Sequence, residues 1–428
     1  RQRQMCIRDS SNPLVPAYLY PRGDNFSTVK VFERYNEARK INEQFWPSGE
    51  GDLRMQNPYW IAYRNLRENS KKRYMLSAGL TYDVLDWLSL SGRIRIDNSN
   101  NTYEQKYYAS TITTLTEGSE QGYYGIEKSG NSQTYADFLV NINKRVGDFT
   151  IVANIGTSLS DNSYDMLGYN GPIQEKGIPN VFNVFDLDNT KKRATQEGWE
   201  EMTQSIFASA EVGWKSMLYL TLTGRNDWAS QLAYSKNSSF FYPSVGLSAV
   251  VSEMVDMPEW FSFLKVRGSY SAVGSSYAAY LTKPYYDYKG QTHEWDSLHR
   301  FPNENLKPEK TKSWEVGLNA RFFGGKLNFD ATWYRSDTFN QTFESTPSST
   351  SGYSSVLVQA GQVRNSGLEM LLSYHNTWRD FSWNTSVTYT MNRNKIIRLA
   401  NGVISPVDGQ PIDMPYLEKA TLGDAGSP

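Results

Sequence analysis

At 428 residues the chain exceeds one ordinary soluble domain, so it is either several domains or one large all-β architecture. A formal charge of −1 supplies no basic stripe for nucleic acid, and no window approaches the roughly 18 apolar residues of a membrane-spanning helix. Aromatic residues reach 14% of the chain while the mean hydropathy is −0.59, a combination that suits half-polar spanning strands with Tyr and Trp at the two interfaces.

In chain order, residues 1–10 (RQRQMCIRDS) hold the single cysteine, Cys6. This stretch has neither the apolar core nor the cleavage site of a signal peptide and reads as sequencing or assembly sequence. One cysteine leaves no disulfide framework and no thiolate metal site. Residues 11–70 are rich in Pro, Tyr, Trp and Arg without clear alternation. They are expected to form an extracellular loop region leading into strands over residues 71–393, with residues 394–428 the truncated start of another outer loop.

Within 71–393 a period of two, which sends successive side chains to opposite faces of a strand, recurs about twelve times. Leu88, Leu90, Ile94 and Ile96 share one face with Gly92, and Ser89, Ser91, Arg93, Arg95 and Asp97 share the other. The same alternation sets Leu264, Val266 and Tyr270 against Lys265, Arg267 and Ser269. It sets Trp314, Val316, Leu318, Ala320 and Phe322 against Glu315, Gly317, Asn319 and Arg321. Leu327, Phe329, Ala331 and Trp333 oppose Lys326, Asn328, Asp330 and Thr332, and Phe381, Trp383, Val387, Tyr389 and Met391 oppose Ser382, Asn384, Ser386 and Thr388. No soluble core wants two arginines and an aspartate in a row on one face, but a watery lumen does. Trp87, Trp333 and Trp383 are therefore expected at the lipid or its interface.

Connections alternate in length. Short turns are expected near Asp83–Asp86, Arg145–Asp148, Lys215–Ser216, Phe323–Gly325 and Thr377–Asp380, with a longer one around Ser252–Phe263. Loops are expected at 98–132, 160–203, 227–239, 274–311 and 336–364. Short turns alternating with long loops are the pattern of an outer-membrane barrel. The fold class read from these features is all-β, a transmembrane antiparallel β-barrel.

Chemistry-bearing constellations are weak. His293, Glu294 and His299 fall in one loop, but their spacing is not that of a helical zinc motif. Asp186, Asp188, Thr190 and Glu197 match positions of a calcium loop, yet Lys191 stands where the turn needs Gly. Glu304 with Glu309, and Glu200 with Glu201, are the carboxylate pairs a glycosidase reading would use; in a chain with 45 acidic residues such pairs arise by chance. No enzyme activity, metal or cofactor is expected.

Several runs in order resemble the SusC/RagA family of TonB-dependent outer-membrane transporters of the Bacteroidetes: YLYPRGDNFSTVKVFERY from Tyr18, QNPYWIAYRN from Gln56, LTLTGRNDWAS from Leu220 and FFYPSVGLSAVVSE from Phe240. They continue with LKVRGSYSAVG from Leu264, NENLKPEKTKSWEVGLNARFFGGKLNFDATWY from Asn303 and AGQVRNSGLEMLLSY from Ala360. NLKPEKTKSWEVGL is the most specific. One departure is Trp228, which follows Arg225 and Asp227 where the family's GR-x-D motif continues with small residues.

The resemblance implies a fragment of about twelve strands of a 22-stranded barrel, without the plug domain, importing oligosaccharide or peptide. Implied partners are a SusD-like surface lipoprotein, a TonB complex acting through the missing plug, and outer-membrane lipid. Trp46, Trp60, Trp228 and Trp295 are the loop aromatics expected to touch ligand or partner, since flat rings stack on sugars; packing within the loops is the alternative. Arg93, Arg95, Lys265 and Arg267 are expected to line the lumen, with contact to plug carboxylates favoured over substrate. The rival readings are a non-transporting structural or adhesive barrel and a soluble glycan-binding β-protein. A chain with an apolar outer face and unpaired edges is expected to aggregate or stay unfolded when expressed alone in water. A soluble monomer melting cooperatively in a calorimeter would contradict the barrel reading.

Overall fold

Long antiparallel strands carry the fold in the computed structural model, which describes residues 12–47, 56–278, 305–347 and 349–398, with a few residues between 280 and 303 and between 404 and 409. A small hairpin, β1 (Glu33–Asn36) and β2 (Ile41–Gln44), comes first. It is followed by β3 (Asn65–Leu85), β4 (Leu88–Tyr108), β5 (Gly122–Val146), β6 (Phe149–Pro172), β7 (Arg193–Trp214), β8 (Leu218–Ala229), β9 (Ser239–Val250) and β10 (Phe261–Ser275). Three two-residue strands, β11 (Tyr288–Lys289), β12 (Glu294–Trp295) and β13 (Arg300–Phe301), precede β14 (Glu309–Phe322), β15 (Leu327–Ser345), β16 (Ser355–Trp378) and β17 (Phe381–Arg398). The long strands pair in sequence order from β3 to β17, and β13 adds alongside the start of β16. Every pairing between neighbours from β7 to β10 and from β10 through β14 to β17 is antiparallel.

Register turns the period of two into two continuous faces. Leu220, Leu247, Gly268, Val316, Trp333, Leu368 and Met391 lie directly opposite one another from β8 to β17. Leu222, Val245, Tyr270 and Trp314 form the next row. A slip of one residue would exchange the faces wholesale, so these rows define the register. Among the described residues nothing covers them: Val316, Trp333 and Val387 are 54%, 46% and 60% exposed. An apolar face this continuous is what a lipid-facing band requires. At the turn end it closes on aromatics, with Trp260 and Phe261 against Phe322 at 6.0 and 4.8 Å between ring centres, and Phe381 against Trp378 and Trp383 at 6.2 Å each. Trp333 and Trp383 sit on this face, whereas Trp87 is half-buried in its turn with Lys144 Nζ 4.5 Å above its ring.

The short turns fall where alternation breaks: residues 86–87, 147–148, 215–217, 323–326 and 379–380. Left-handed backbone at Gly147, Gly324 and Gly325 closes two of them, as a tight hairpin demands. The other connections are shorter than expected, at residues 109–121, 173–192, 230–238 and 346–354. The strands simply continue after the apolar alternation stops. Beyond that point apolar and polar side chains no longer alternate cleanly, yet the ladder holds, as in Gln341 opposite Ala360 and Thr342 opposite Gln359. Alternation marks the uncovered apolar band, and the backbone ladder outlasts it.

The chain divides into two compact units. One comprises the described residues up to Leu76 with Ile96–Gln133 and Asn162–Glu200, and the other Ser77–Arg95, Thr134–Asp161 and the described residues from Glu201 onward. In the first, residues 12–64 are built of short elements, including helices Leu14–Leu19 and Pro58–Arg64 beside the β1–β2 hairpin, around buried Val29, Trp46, Trp60 and Ile61.

Substitution should separate the two faces of the sheet. Leu318→Arg, in the middle of the apolar face, is expected to destabilise the protein in lipid vesicles by about 2–4 kcal/mol. Ser386→Lys, on the opposite face, should leave the guanidinium unfolding midpoint near the unsubstituted value. Equal effects would reverse the assignment of the faces.

Candidate functional site: the charged face of the sheet

The face opposite the apolar rows carries charge pairs, some across strands and one within a strand. On β4, Arg93 reaches Asp137 of β5 with Nε at 3.0 Å and Nη2 at 2.6 Å, and the Asp137 side chain is only 3% exposed. Arg93 and Arg95 both lie 5.8 Å from the centre of the Tyr135 ring. On β8, Arg225 donates from Nε to Asp227 at 2.7 Å and from Nη2 to Ser205 Oγ at 2.7 Å, while the Tyr242 hydroxyl of β9 donates to the other oxygen of Asp227. Residues two apart on a strand share a face, which is why GR-x-D can form an internal ion pair.

Arg267 of β10 crosses a whole strand. Its Nη2 contacts Asp330 Oδ1 at 3.0 Å and Thr332 Oγ1 at 2.6 Å on β15. Gly317 of β14 lies directly between. A Cβ there would stand 2.7 Å from Arg267 Nε, so the glycine opens the gap the guanidinium passes through. Lys265 Nζ sits 5.9 Å from the Tyr219 ring centre. The four basic residues expected to face the lumen thus share this face of the sheet. Arg93 and Arg267 are held by carboxylates of neighbouring strands, and Arg95 and Lys265 lie over rings. Asp137 and Asp330 were not anticipated as partners, because register across strands brings them to the arginines and no single strand shows it.

The tryptophans expected to meet ligand lie elsewhere. Trp60 is fully buried and its Nε1 donates to Thr111 Oγ1 at 3.0 Å. It belongs to a knot in which the Asn57 side chain caps helix Pro58–Arg64 by accepting from Tyr59 N and donates to the carbonyls of Val29 and Phe45 at 2.8 and 3.0 Å. The run QNPYWIAYRN is that knot. Trp46 is buried against Tyr20 at 5.7 Å. Neither ring offers a free face for stacking, because each fills the small core of residues 12–64. Trp228 lies within β8 rather than in a loop, shares the parity of Leu220 and Leu222, and is 42% exposed; it therefore faces away from Arg225 and Asp227. The Trp295 side chain, like His293 and His299, lies outside the described residues. The calcium-loop reading fails on geometry, since Asp188 Oδ1 accepts from both the amide and hydroxyl of Thr190 at 2.8 and 2.7 Å, forming a local turn.

The sequence profile described as TonB dependent receptor-like, beta-barrel matches residues 11–422. The chain belongs to that family. It is 24% identical over 369 residues to TonB-dependent receptor P3 of Formosa agariphila, covering 83% of this chain and 36% of the relative. Against the TonB-dependent receptor SusC of Bacteroides thetaiotaomicron it is 29% identical over 116 residues, 26% of this chain and 12% of the relative. Its fold resembles that of the RagAB peptide transporter, with a TM-score of 0.69 at 18% identity over 82% of this chain and 40% of that one. The chain spans about a third of the length of the first of these relatives.

For this TonB-dependent receptor barrel, the structure explains its most specific sequence run. In NENLKPEK, Leu306 is fully buried. Gln359 of β16 accepts from Lys307 N at 2.6 Å and donates to Lys307 O at 2.5 Å, standing in for a strand partner. Asn303 donates to Leu357 O at 2.9 Å, and Asn237 to Leu306 O at 3.1 Å. The run is a backbone lock among strand ends.

At the far end of β4, Lys106 bridges Glu68 and Glu104 at 2.7 Å each, and Tyr124 donates to Glu104 at 2.9 Å. The hydrogen bond from Lys106 holds Glu104 below its ordinary range. Burial, then the Glu104 contact, pushes Tyr124 up to about 12. A carboxyl depressed in the folded state stabilises above its unfolded value and loses that contribution as the pH falls through the folded one. Acidification below the ordinary carboxylate range should therefore loosen this strand end. Protection factors for amide exchange in residues 102–108, corrected for the intrinsic rate at each pH, should fall with acid in the parent and change less steeply in Glu104→Gln; identical acid profiles would remove Glu104 from the network.

Proposed function

We propose that this chain supplies barrel strands to an outer-membrane importer of oligosaccharides or peptides. In this reading it is the SusC-like component of a SusC/SusD-type complex, engaged by a SusD-like surface lipoprotein and energised by a TonB complex through a plug domain. The observation that carries the reading is the two-faced sheet. One face is apolar and uncovered across register rows from β8 to β17, the other is a ladder of paired charges, and tight turns lie at one strand end only. A soluble sandwich would bury its apolar face instead. Membership of the TonB-dependent receptor-like barrel family and the likeness to SusC and to the RagAB peptide transporter favour import over a structural or adhesive barrel.

The charged face suits a passage. Arg–carboxylate pairs keep it polar without a large net field, so a neutral glycan or a peptide of either sign meets no electrostatic barrier. The arginines paired with Asp137, Asp227 and Asp330 already have carboxylate partners in the sheet, which supports a role in wall structure over substrate capture. No step of bond making is involved. Binding and conformational gating are the whole function.

Deleting the gene in its native bacterium should abolish growth on one class of oligosaccharide or oligopeptide while growth on the matching monomers continues. Loss of TonB should produce the same defect, and the protein should copurify from the outer-membrane fraction with a surface lipoprotein. Unimpaired growth across both classes, with the protein still in the outer membrane, would favour the adhesive or structural barrel.

A further inference from the structure

Above the apolar band, on the same face of the sheet, the register places a second and oppositely natured row. Val316, Trp333, Leu368 and Met391 are the last fully apolar row across β14 to β17. Two residues further along, the row reads Trp314, Arg335, Ser366 and Arg393. Two more along, it reads Lys312, Asp337, Arg364 and Lys395. Five cations and one carboxylate thus stand on the apolar face within two row spacings of its edge, on the side away from the tight turns. Each row spacing is about 7 Å along the strand.

Asp337 organises the middle of this rim. It accepts from Arg335 Nε at 2.9 Å and from Arg364 Nε at 2.7 Å, with Gln362 Nε2 at 3.0 Å. The Asp337 side chain is 10% exposed, and those of Arg335 and Arg364 are 41% and 29% exposed. Both arginines are held through Nε, so their terminal Nη groups are directed elsewhere, and among the described residues those groups have no partner. Lys312 Nζ lies 5.5 Å from the Phe339 ring centre, its stem along the ring. Two guanidinium groups fixed side by side with their terminal nitrogens open form a fork that matches the oxygens of a phosphate.

We propose that this rim binds the phosphate groups of anionic, phosphorylated lipid in the leaflet facing away from the tight turns. The inference rests on the membrane reading above and adds a specific lipid contact to it. The apolar row below takes the acyl chains, and the cation row lies at the height where headgroup phosphates stand. Lys312 and Lys395 flank the arginine fork as point charges, and Asp337 keeps the two arginines oriented while leaving the row strongly net positive.

The test uses the whole protein, inserted in the outer membrane of a Gram-negative host, extracted in mild detergent and examined by native mass spectrometry with lipid A, dephosphorylated lipid A and inorganic phosphate as probes. The parent is expected to retain phosphorylated lipid A and to lose it on dephosphorylation of the lipid. Arg335→Gln with Arg364→Gln should weaken retention by at least about tenfold with heat-modifiable gel mobility unchanged. Should that double variant fail to fold, Lys312→Gln with Lys395→Gln, which leaves the Asp337 network intact, reads the same loss. Retention unchanged in the variants, or equal displacement by millimolar inorganic phosphate, overturns the lipid site. A parent protein that never enters the membrane refutes the membrane reading itself, whereas one that inserts but carries no phosphorylated lipid refutes only the rim.

Discussion

Every feature described here depends on one constraint: in lipid, each backbone N–H and C=O must find its partner within the protein. An antiparallel ladder meets it, and the ladder in turn dictates a period of two, so each strand has one face for lipid and one for water. The apolar rows from Leu220 to Met391 and the charged residues behind them are two readings of one register. The same constraint explains why the strands outrun the apolar band. Once a ladder exists, extending it into water satisfies more backbone at little loss, and residues such as Thr342 and Gln359 continue the pairing with polar side chains.

The polar face has its own logic. Arg93 with Asp137, Arg225 with Asp227 and Arg267 with Asp330 are pairs in which the carboxylate is the less exposed member. Such part-exposed pairs contribute little stability individually, but they fix side-chain positions across the polar face, as the wall of the proposed passage would require. Gly317 shows how tightly this is arranged, since it exists opposite Arg267 to let that side chain through. On the apolar face the same device recurs with Asp337, which orients Arg335 and Arg364 just above the last apolar row.

Much of this was legible in the sequence and some was not. Alternation in residues such as Trp314–Phe322 and Leu327–Trp333 announced the strands, their faces and the turns, because period and burial are local properties. The strand ends beyond the band were invisible, since strict alternation stops there, in polar residues 98–108 and in the consecutive apolar residues Val356–Val358; residues 98–108 and 355–364 read as loop and are strand. Trp46 and Trp60 read as loop aromatics that either touch ligand or pack within the loops, and which of the two was not legible, because a small core built from a knot of helix cap and hairpin has no periodic signature. Trp228 was assigned to a loop because the strand ending was placed too early, and one parity step decides which way it faces. The carboxylates that hold Arg93 and Arg267 come from other strands, and no pattern within one strand reveals a register between two.

The central claim is that the faces of this sheet meet lipid and water respectively. With Cys6 replaced, single substitutions Glu315→Cys, Val316→Cys, Leu318→Cys and Asn319→Cys, each labelled in intact membranes by a membrane-impermeant maleimide, separate the two faces. Positions 315 and 319 are expected to react from the aqueous side, and positions 316 and 318 to stay protected until detergent is added. Uniform labelling along the strand, or protection of the odd positions instead, would contradict it.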